Sequence, residues 1–170
     1  FIYGLSEKVI LADTLNELFV TINSSNPSDS LSFWLLSLSF FFRIYFDFDG
    51  YSNMAIGLGR VLGFNFPENF DYPYASPSLS AFWRRWHMTL GRWLRDYIYI
   101  PLGGSKKGKW RMIVSIAAVW VATSLWHGAK AVFLLWGAFN AVIIISEKLI
   151  PSRFYRRLPP IIPHIITLIF

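Results

Sequence analysis

The stretch from Met112 to Ser146, "MIVSIAAVWVATSLWHGAKAVFLLWGAFNAVIIIS", is the most informative about how this chain folds. It consists of two apolar arms separated by the short sequence "HGAK" at residues 127–130. Each arm is long enough for several helical turns, and glycine is the residue expected just after a helix C-terminus. The pattern therefore predicts a helical hairpin whose turn contains His127 and Gly128.

Basic residues flank this hairpin on both sides: Lys106, Lys107, Lys109 and Arg111 before it, and Lys148, Arg153, Arg156 and Arg157 after it. Positive charge beside apolar segments is typical of cytoplasmic membrane loops. We therefore expect the hairpin to leave this membrane face and return to it. The arm from Met112 to Trp126 rises only about 22 Å, against a hydrocarbon core of about 30 Å. The turn is predicted to stay within the thickness of the membrane.

Composition also favours a membrane protein, because 54% of the residues are hydrophobic, 19% are aromatic and only 15% are charged. Apolar blocks occupy residues 31–42, 112–126, 131–146 and 161–170. The net charge of +6 is concentrated beside apolar segments, which favours a membrane surface over nucleic acid. The absence of cysteine excludes disulfides and thiolate chemistry within the chain. We predict an all-α, polytopic membrane protein, and we expect the chain to be part of a longer polypeptide.

The first 78 residues are predicted to form helices separated by irregular links. Residues 1–20 carry several charges and indicate an interfacial or buried helix, and residues 21–30 indicate a loop. Residues 31–46 are typical of a membrane helix, which residues 47–66 continue with small side chains that permit close helix packing. The proline-rich stretch 67–78 is predicted to be irregular, with Ser76 or Ser78 starting the next helix. We expect Asp47 and Asp49 to bond Arg43, backbone groups or neighbouring side chains.

Residues 78–100, "SLSAFWRRWHMTLGRWLRDYIYI", are predicted to form one continuous helix. At about 100° per residue, His87 falls at the edge of an apolar sector, and four arginines fall on the other side. This pattern is typical of an amphipathic helix in the membrane plane, in which His87 is a core histidine with a polar partner. A histidine on an apolar side requires such a partner, so we expect a polar cavity beside it.

His127 is a candidate functional residue, because ionisable residues at membrane depth usually serve function. The alternative is a histidine that only caps a short helix. No nucleophile elbow, phosphate loop or zinc-protease motif accompanies it, and two lone histidines are too few for a metal site. A neutral imidazole in an apolar pocket suits a general base that takes a proton from a hydroxyl and later gives it to a leaving thiolate. This chemistry is acyl transfer without a covalent enzyme nucleophile.

Several long strings resemble the membrane-bound O-acyltransferase family, and within it the alginate O-acetylation branch. They are "EKVILADTL", "IYFDFDGYSNMAIGLGRVLGFNFPENFDYPY", "SLSAFWRRWHMTLGRWLRDYIYIPLGG", "SLWHGA" and "LWGAFNA", in one order over most of residues 7–141. The resemblance implies that residues 1–170 are part of a single polytopic membrane domain. It also implies that His127 serves catalysis and that His87 lies across the same tunnel, close enough for one acyl donor to lie between them.

The resemblance further implies transfer of an acyl group, acetyl in this branch, to hydroxyls of an exported polysaccharide. The donor is expected to be a thioester such as acetyl-CoA or an acyl carrier protein, and no bound cofactor or metal is expected. The implied partners are the lipid bilayer of the bacterial inner membrane and an extracytoplasmic acyltransferase protein. Two alternatives stay open: D-alanyl transfer to teichoic acid-like polymers, and a scaffold or acyl conduit without chemistry of its own.

Three positions depart from what the resemblance leads us to expect. They are Arg43 in place of glutamine, Asp49 in place of serine or alanine, and Asn53 in place of aspartate. A gained positive charge and a gained negative charge six residues apart suggest that Arg43 and Asp49 pair across a helix break.

Overall fold

The computed structural model describes residues 1–150 and 161–169, and all their regular secondary structure is helical. This confirms the all-α class. The chain divides into two compact units, Phe1–Asn69 and Phe70–Phe170. The assignment of residues 1–170 to a single membrane domain stays a prediction.

Three helices and a π-helical stretch form the first unit. They are α1 (Ile2–Ser6), the π-helical residues Glu7–Ala12, α2 (Asp13–Ser24) and α3 (Ser30–Val61). The predicted loop at 21–30 is shorter than expected, because α2 continues to Ser24. The Ser24 hydroxyl donates to the Val20 carbonyl oxygen at 2.7 Å, a bond that a helix accommodates. Asp29 then caps α3, accepting the Ser32 N–H at 2.9 Å.

The predicted pair between Arg43 and Asp49 is wrong, because α3 continues unbroken through both residues. Six residues on a continuous helix turn the two side chains about 120° apart around the axis. The Arg43 guanidinium instead donates to Asn16 Oδ1 at 2.6 Å and lies over the Phe19 and Phe40 rings. Of the alternatives expected for the two aspartates, the bond to Arg43 is therefore wrong, whereas the bond to a neighbouring side chain is confirmed for Asp49, which accepts from Asn53.

The two aspartates of α3 have partners in their own unit. Asp47 pairs with the Lys8 ammonium at 2.7 Å, and Asp49 accepts a long hydrogen bond of 3.4 Å from Asn53. Asn53 also donates to the buried carboxylate of Glu7 at 2.8 Å. The departures from the family pattern are therefore accommodated by polar contacts of α3 with the N-terminal helices.

The second unit begins with an irregular segment, as predicted, that contains the short 3-10 turn Pro73–Ala75. Its helices are α4 (Leu79–Arg85), α5 (Met88–Leu94) with π-helical residues Arg95–Tyr99, α6 (Lys109–His127), α7 (Ala131–Leu149) and α8 (Ile161–Ile169). Ser78 caps α4, accepting the Ala81 N–H at 3.1 Å, which confirms one of the two predicted starts.

The continuous helix predicted over residues 78–100 is wrong, because the chain breaks at Trp86 and His87. Trp86 is extended, and His87 is left-handed with φ 47° and ψ 53°. The Trp86 ring stacks on Phe82 at 5.5 Å and meets Phe70 edge-on at 5.0 Å. These contacts favour the extended backbone of Trp86 over another helical turn. The angular count that placed His87 at the edge of an apolar sector therefore does not apply.

The predicted hairpin is confirmed as α6, a short turn and α7. Gly128 follows His127 with φ 137° and ψ 142°, a conformation that side chains rarely adopt. The hydrophobic core of the unit is formed mainly by the two arms of the hairpin, with Leu79 of α4; it contains Leu79, Met112, Ile116, Trp120, Ala141 and Ile144. The helix α6 begins three residues before the predicted arm, so its 19 residues rise about 28 Å. A turn within the membrane therefore requires Lys109 and Arg111 to lie outside the hydrocarbon.

Within the described residues, α3 and α7 are long and apolar enough to cross a membrane. In the most apolar part of each helix, only 6% of the residues of α3 and 17% of those of α7 are buried within the structure. A soluble protein would bury such helices in its core, so these surfaces fit contact with lipid or with further membrane helices. The C-terminal basic residues Arg153, Arg156 and Arg157 lie outside the described residues.

Candidate active site

A cavity of about 300 Å³ in the second unit is lined by both His87 and His127. The prediction that the two histidines share a cavity is confirmed. The walls are mostly aliphatic and aromatic, with Trp83, Trp86 and Trp120 among them. A small, largely apolar cavity with a few polar groups is the usual form of a small-molecule site.

His87 is presented to the cavity by the break between α4 and α5. Its left-handed backbone starts α5 and turns the residue out of the helical register. The residue is partly buried, and the Thr89 hydroxyl oxygen lies 3.4 Å from its Nδ1. Burial lowers the pKa of His87, and repulsion from His127 lowers this pKa further. The imidazole is therefore neutral at pH 7, a form that both donates and accepts hydrogen bonds.

His127 is the last residue of α6, and it is exposed within this chain rather than enclosed. Its ring lies edge-to-face with Trp136, with centroids 5.3 Å apart and planes at 81°. Phe133 stacks on it at 6.2 Å and 29°. Both aromatic residues belong to α7, so the hairpin itself holds the ring. The structure thus places His127 at the cavity, but it does not show the enclosed pocket that the sequence suggested.

Three tryptophans from three helices pack together beside the cavity, and the sequence did not identify them as part of the site. Trp83 of α4, Trp120 of α6 and Trp136 of α7 meet one another nearly at right angles, with centroids 5.0–5.7 Å apart. Asn140 joins this tryptophan cluster, accepting the Trp83 indole N–H at 3.0 Å. The spacing of tryptophans and an asparagine on apolar helices was the only signal in the sequence.

Glu147 of α7 was also missed, and it fixes the start of α4. Its two carboxylate oxygens accept the N–H groups of Leu79 and Ser80 at 2.7 and 2.9 Å. A carboxylate at a helix N-terminus satisfies donors that have no partner within the helix. Because α4 leads directly into the break at His87, Glu147 ties that histidine to the helix that packs on His127.

The cavity also has a cationic part, lined by Arg84, Arg95 and Lys148. Arg95 is paired with the neighbouring Asp96 at 2.8 Å. Two imidazoles beside an apolar wall can exchange a proton with a bound hydroxyl or thiol, and the cations can face an anionic substrate group.

The profile of the membrane-bound O-acyltransferase family matches residues 2–164. The chain is 41% identical to the "Probable alginate O-acetylase AlgI" of Pseudomonas putida, over 91% of this chain and 33% of that protein. It is 36% identical to the "Peptidoglycan O-acetyltransferase" of Helicobacter pylori, over 100% of this chain and 33% of that protein. It is 30% identical to the "Teichoic acid D-alanyltransferase" of Bacillus subtilis, over 92% of this chain and 42% of that protein. The chain spans about a third of the length of the alginate and peptidoglycan relatives.

Proposed function

The chain belongs to the membrane-bound O-acyltransferase family, and from this premise we propose that the complete protein moves an acyl group from a thioester towards hydroxyls of an exported polysaccharide. The observation that carries the proposal is the cavity lined by His87 and His127. Two helix interruptions, far apart in sequence, bring the two imidazoles to one small apolar space. A scaffold or a passive acyl conduit has no need of this arrangement.

In the proposed reaction His127 is the general base. Its imidazole takes the proton of the acceptor hydroxyl while the oxygen attacks the carbonyl carbon of the thioester. The carbon–sulfur bond breaks, and the thiolate leaves with the proton that His127 carries. His87, neutral at pH 7, hydrogen-bonds the donor from the other side of the cavity. Each proton and the leaving group are accounted for without a metal or a covalent enzyme intermediate.

The acyl group we propose is acetyl, since relatives named as an alginate O-acetylase and a peptidoglycan O-acetyltransferase share more identity with this chain than the D-alanyltransferases do. A cavity of about 300 Å³ fits a short acyl thioester. The donor we propose is acetyl-CoA or an acetylated acyl carrier protein, with an extracytoplasmic acyltransferase protein as partner. D-alanylation of the glycan, detected in place of acetylation, would favour the teichoic acid-type alternative.

We place the complete protein in the bacterial inner membrane as a multi-pass protein, supported by the two long apolar helices α3 and α7. The basic residues before α6 favour a cytoplasmic position for that loop. A cysteine introduced by Ser105→Cys should then react with a membrane-impermeant thiol reagent only from the cytoplasmic side. One introduced by Ala129→Cys, in the turn after His127, should react slowly from both sides. Fast labelling of position 129 from outside would contradict a turn within the membrane.

The proposed function is tested by His127→Ala in the complete protein, expressed in the producing bacterium at normal level. We expect the acyl content of the exported glycan to fall by about 10²-fold or more, since loss of a general base has this effect. His164→Ala is the control: this histidine contacts the Ala75 carbonyl oxygen at 3.0 Å and does not line the cavity. Near-normal acylation in His127→Ala would support the scaffold or conduit instead.

A further inference from the structure

Within the part of the chain that the structure describes, aromatic rings orient the imidazole of His127. Trp136 meets it edge-to-face at 5.3 Å, and Phe133 stacks on it at 6.2 Å. Across residues 1–150 and 161–169, neither ring nitrogen of His127 makes a hydrogen bond or an ion pair. A catalytic histidine is commonly oriented by a hydrogen bond to one of its nitrogens. Here packing has to supply that orientation.

Trp136 is in turn held by the tryptophan cluster. Its ring stands at 76° to Trp83 and at 80° to Trp120, with centroids 5.7 and 5.5 Å away. The Trp83 and Trp120 rings are themselves 5.0 Å apart at 77°. Perpendicular arrangements at these distances are the favoured geometry for aromatic pairs. Since each indole contacts the other two, rotation of one ring would change its contacts with both neighbours.

A buried amide fixes the register of this cluster. Asn140, only 3% exposed, accepts the Trp83 indole N–H at 3.0 Å and donates to the Trp136 carbonyl oxygen at 2.9 Å. Both ends of the amide are therefore used. Breaking such a buried pair leaves a polar group without a partner, which makes the arrangement costly to change.

The spacing between the two arms of the hairpin is set beside Trp136. A methyl group on Gly137 would collide with the Ser124 hydroxyl and lie 3.0 Å from the Trp120 carbonyl oxygen. The arms α6 and α7 are thus in close contact at Gly137 and Ser124, one residue after Trp136 and three residues before His127. This contact keeps the Trp136 ring within reach of the imidazole.

We propose that Trp136 is the positioning residue of His127, holding the imidazole by an edge-to-face contact while leaving both ring nitrogens to the substrates. The inference rests on the proposed function, in which His127 is the base. The arrangement has a chemical consequence. One nitrogen can take the proton of the acceptor hydroxyl, and the other is not committed to a protein group that would fix its tautomer. Trp136 touches the histidine rather than the reacting atoms.

The test uses a ratio that does not depend on how much folded protein is present. Permeabilised membrane vesicles from the producing bacterium, containing the complete protein and the extracytoplasmic proteins of the same cells, receive acetyl-CoA and an alginate oligosaccharide. Thioester hydrolysis and acetyl transfer are measured in the same sample, with the background of His127→Ala vesicles subtracted. We expect Trp136→Leu to raise the ratio of hydrolysis to transfer about tenfold. Water is small and reaches a rotated imidazole from directions that are closed to the acceptor hydroxyl.

Two further variants separate orientation from folding. Trp136→Phe keeps an aromatic ring and should return the ratio to within about twofold of wild type. Asn140→Ala leaves Trp136 in place but releases Trp83, and should raise the ratio about threefold. Trp110→Leu is the matched control, because Trp110 is 73% exposed and does not line the cavity. Its ratio should equal that of wild type.

The outcomes distinguish this inference from the proposed function. If Trp136→Leu lowers hydrolysis and transfer in proportion, its role is only structural and the inference is overturned. If His127→Ala vesicles still transfer acetyl groups, His127 is not the base and both proposals fail. Loss of transfer in His127→Ala together with a raised ratio in Trp136→Leu supports both.

Discussion

The two histidines of the cavity stand at helix interruptions of different kinds. Between α4 and α5 the histidine itself takes the unusual conformation, with φ 47° at His87. At the end of α6 His127 remains helical, and the next residue, Gly128, takes φ 137°. At the first break the histidine itself has the left-handed backbone, and at the second break the glycine after the histidine has the unusual conformation.

The two histidines therefore differ in whether a change of side chain also changes the residue with the unusual backbone conformation. A substitution at position 87 changes both the side chain and the residue that must adopt a left-handed backbone. A substitution at position 127 changes only the side chain, because the unusual backbone conformation belongs to the next residue, Gly128. Loss of activity in a His127 variant is therefore easier to interpret as loss of chemistry than the same loss in a His87 variant.

The largest effect on stability is expected from Gly128→Ala. The new side chain would have to adopt a conformation almost restricted to glycine, and its Cβ would lie 3.1 Å from the Phe133 ring. We expect a loss of about 2–3 kcal/mol in the free energy of unfolding. Thermal or denaturant unfolding of the purified complete protein in detergent measures it.

Gly63→Ala provides the control for Gly128→Ala. Gly63 also has a positive φ of 82°, but a Cβ there meets nothing within 4 Å. A loss of about 1 kcal/mol is expected at this position. Equal losses of unfolding free energy in Gly63→Ala and Gly128→Ala would show that the turn after His127 does not need glycine more than position 63 does.

A smaller effect is expected from Glu147→Ala, which tests the support of the other break. The variant leaves the N–H groups of Leu79 and Ser80 without their carboxylate and should cost about 2 kcal/mol. Glu147→Gln, which retains one carbonyl oxygen, should cost about half as much. Glu17→Ala, at an exposed carboxylate, serves as the control in the same unfolding measurement. No loss in Glu147→Ala would show that the start of α4 is held by other contacts.

The smallest effect on folding is expected at His87 itself. Asparagine tolerates a left-handed backbone, so the free energy of unfolding of His87→Asn should lie within about 0.5 kcal/mol of the wild-type value. Acyl transfer by this variant should fall. Valine is branched at Cβ and tolerates a left-handed backbone poorly, so the free energy of unfolding of His87→Val should fall by about 1–2 kcal/mol. If His87→Val is as stable as His87→Asn, the folded protein does not require a left-handed backbone at position 87.

The hairpin could be predicted from the sequence because its signals are local. The position of α6 and α7 follows from two apolar arms, a glycine after a helix end and flanking basic residues. The same signals place His127 in the turn and make it a candidate functional residue. The shared cavity was predicted through the resemblance, whereas the helical count that placed His87 beside apolar residues fails at the break. The proposed acyl transfer was suggested by an imidazole at the end of an apolar helix and by the absence of cysteine from the sequence.

The break at His87 could not be predicted, because no glycine or proline marks it. The break depends on the packing of Trp86 against Phe70 and Phe82. Such contacts form only in the folded protein, so the local helix propensity of the sequence does not reveal them. Arg43 was assigned the wrong partner for the same reason: Asn16 lies on a different helix, 27 positions away in sequence. A pattern of apolar positions does not say which tryptophans will meet, so Trp136 was missed as well.

A double-variant comparison tests most directly whether His87 and His127 act on one substrate in one cavity. Acyl transfer is measured for the complete protein with His87→Asn, with His127→Ala and with both changes. Residues that act as a unit in one step are not additive, so the double variant should transfer at a rate within about twofold of His127→Ala alone. Losses that multiply in the double variant would contradict the account, because they would mean that the two histidines serve separate steps.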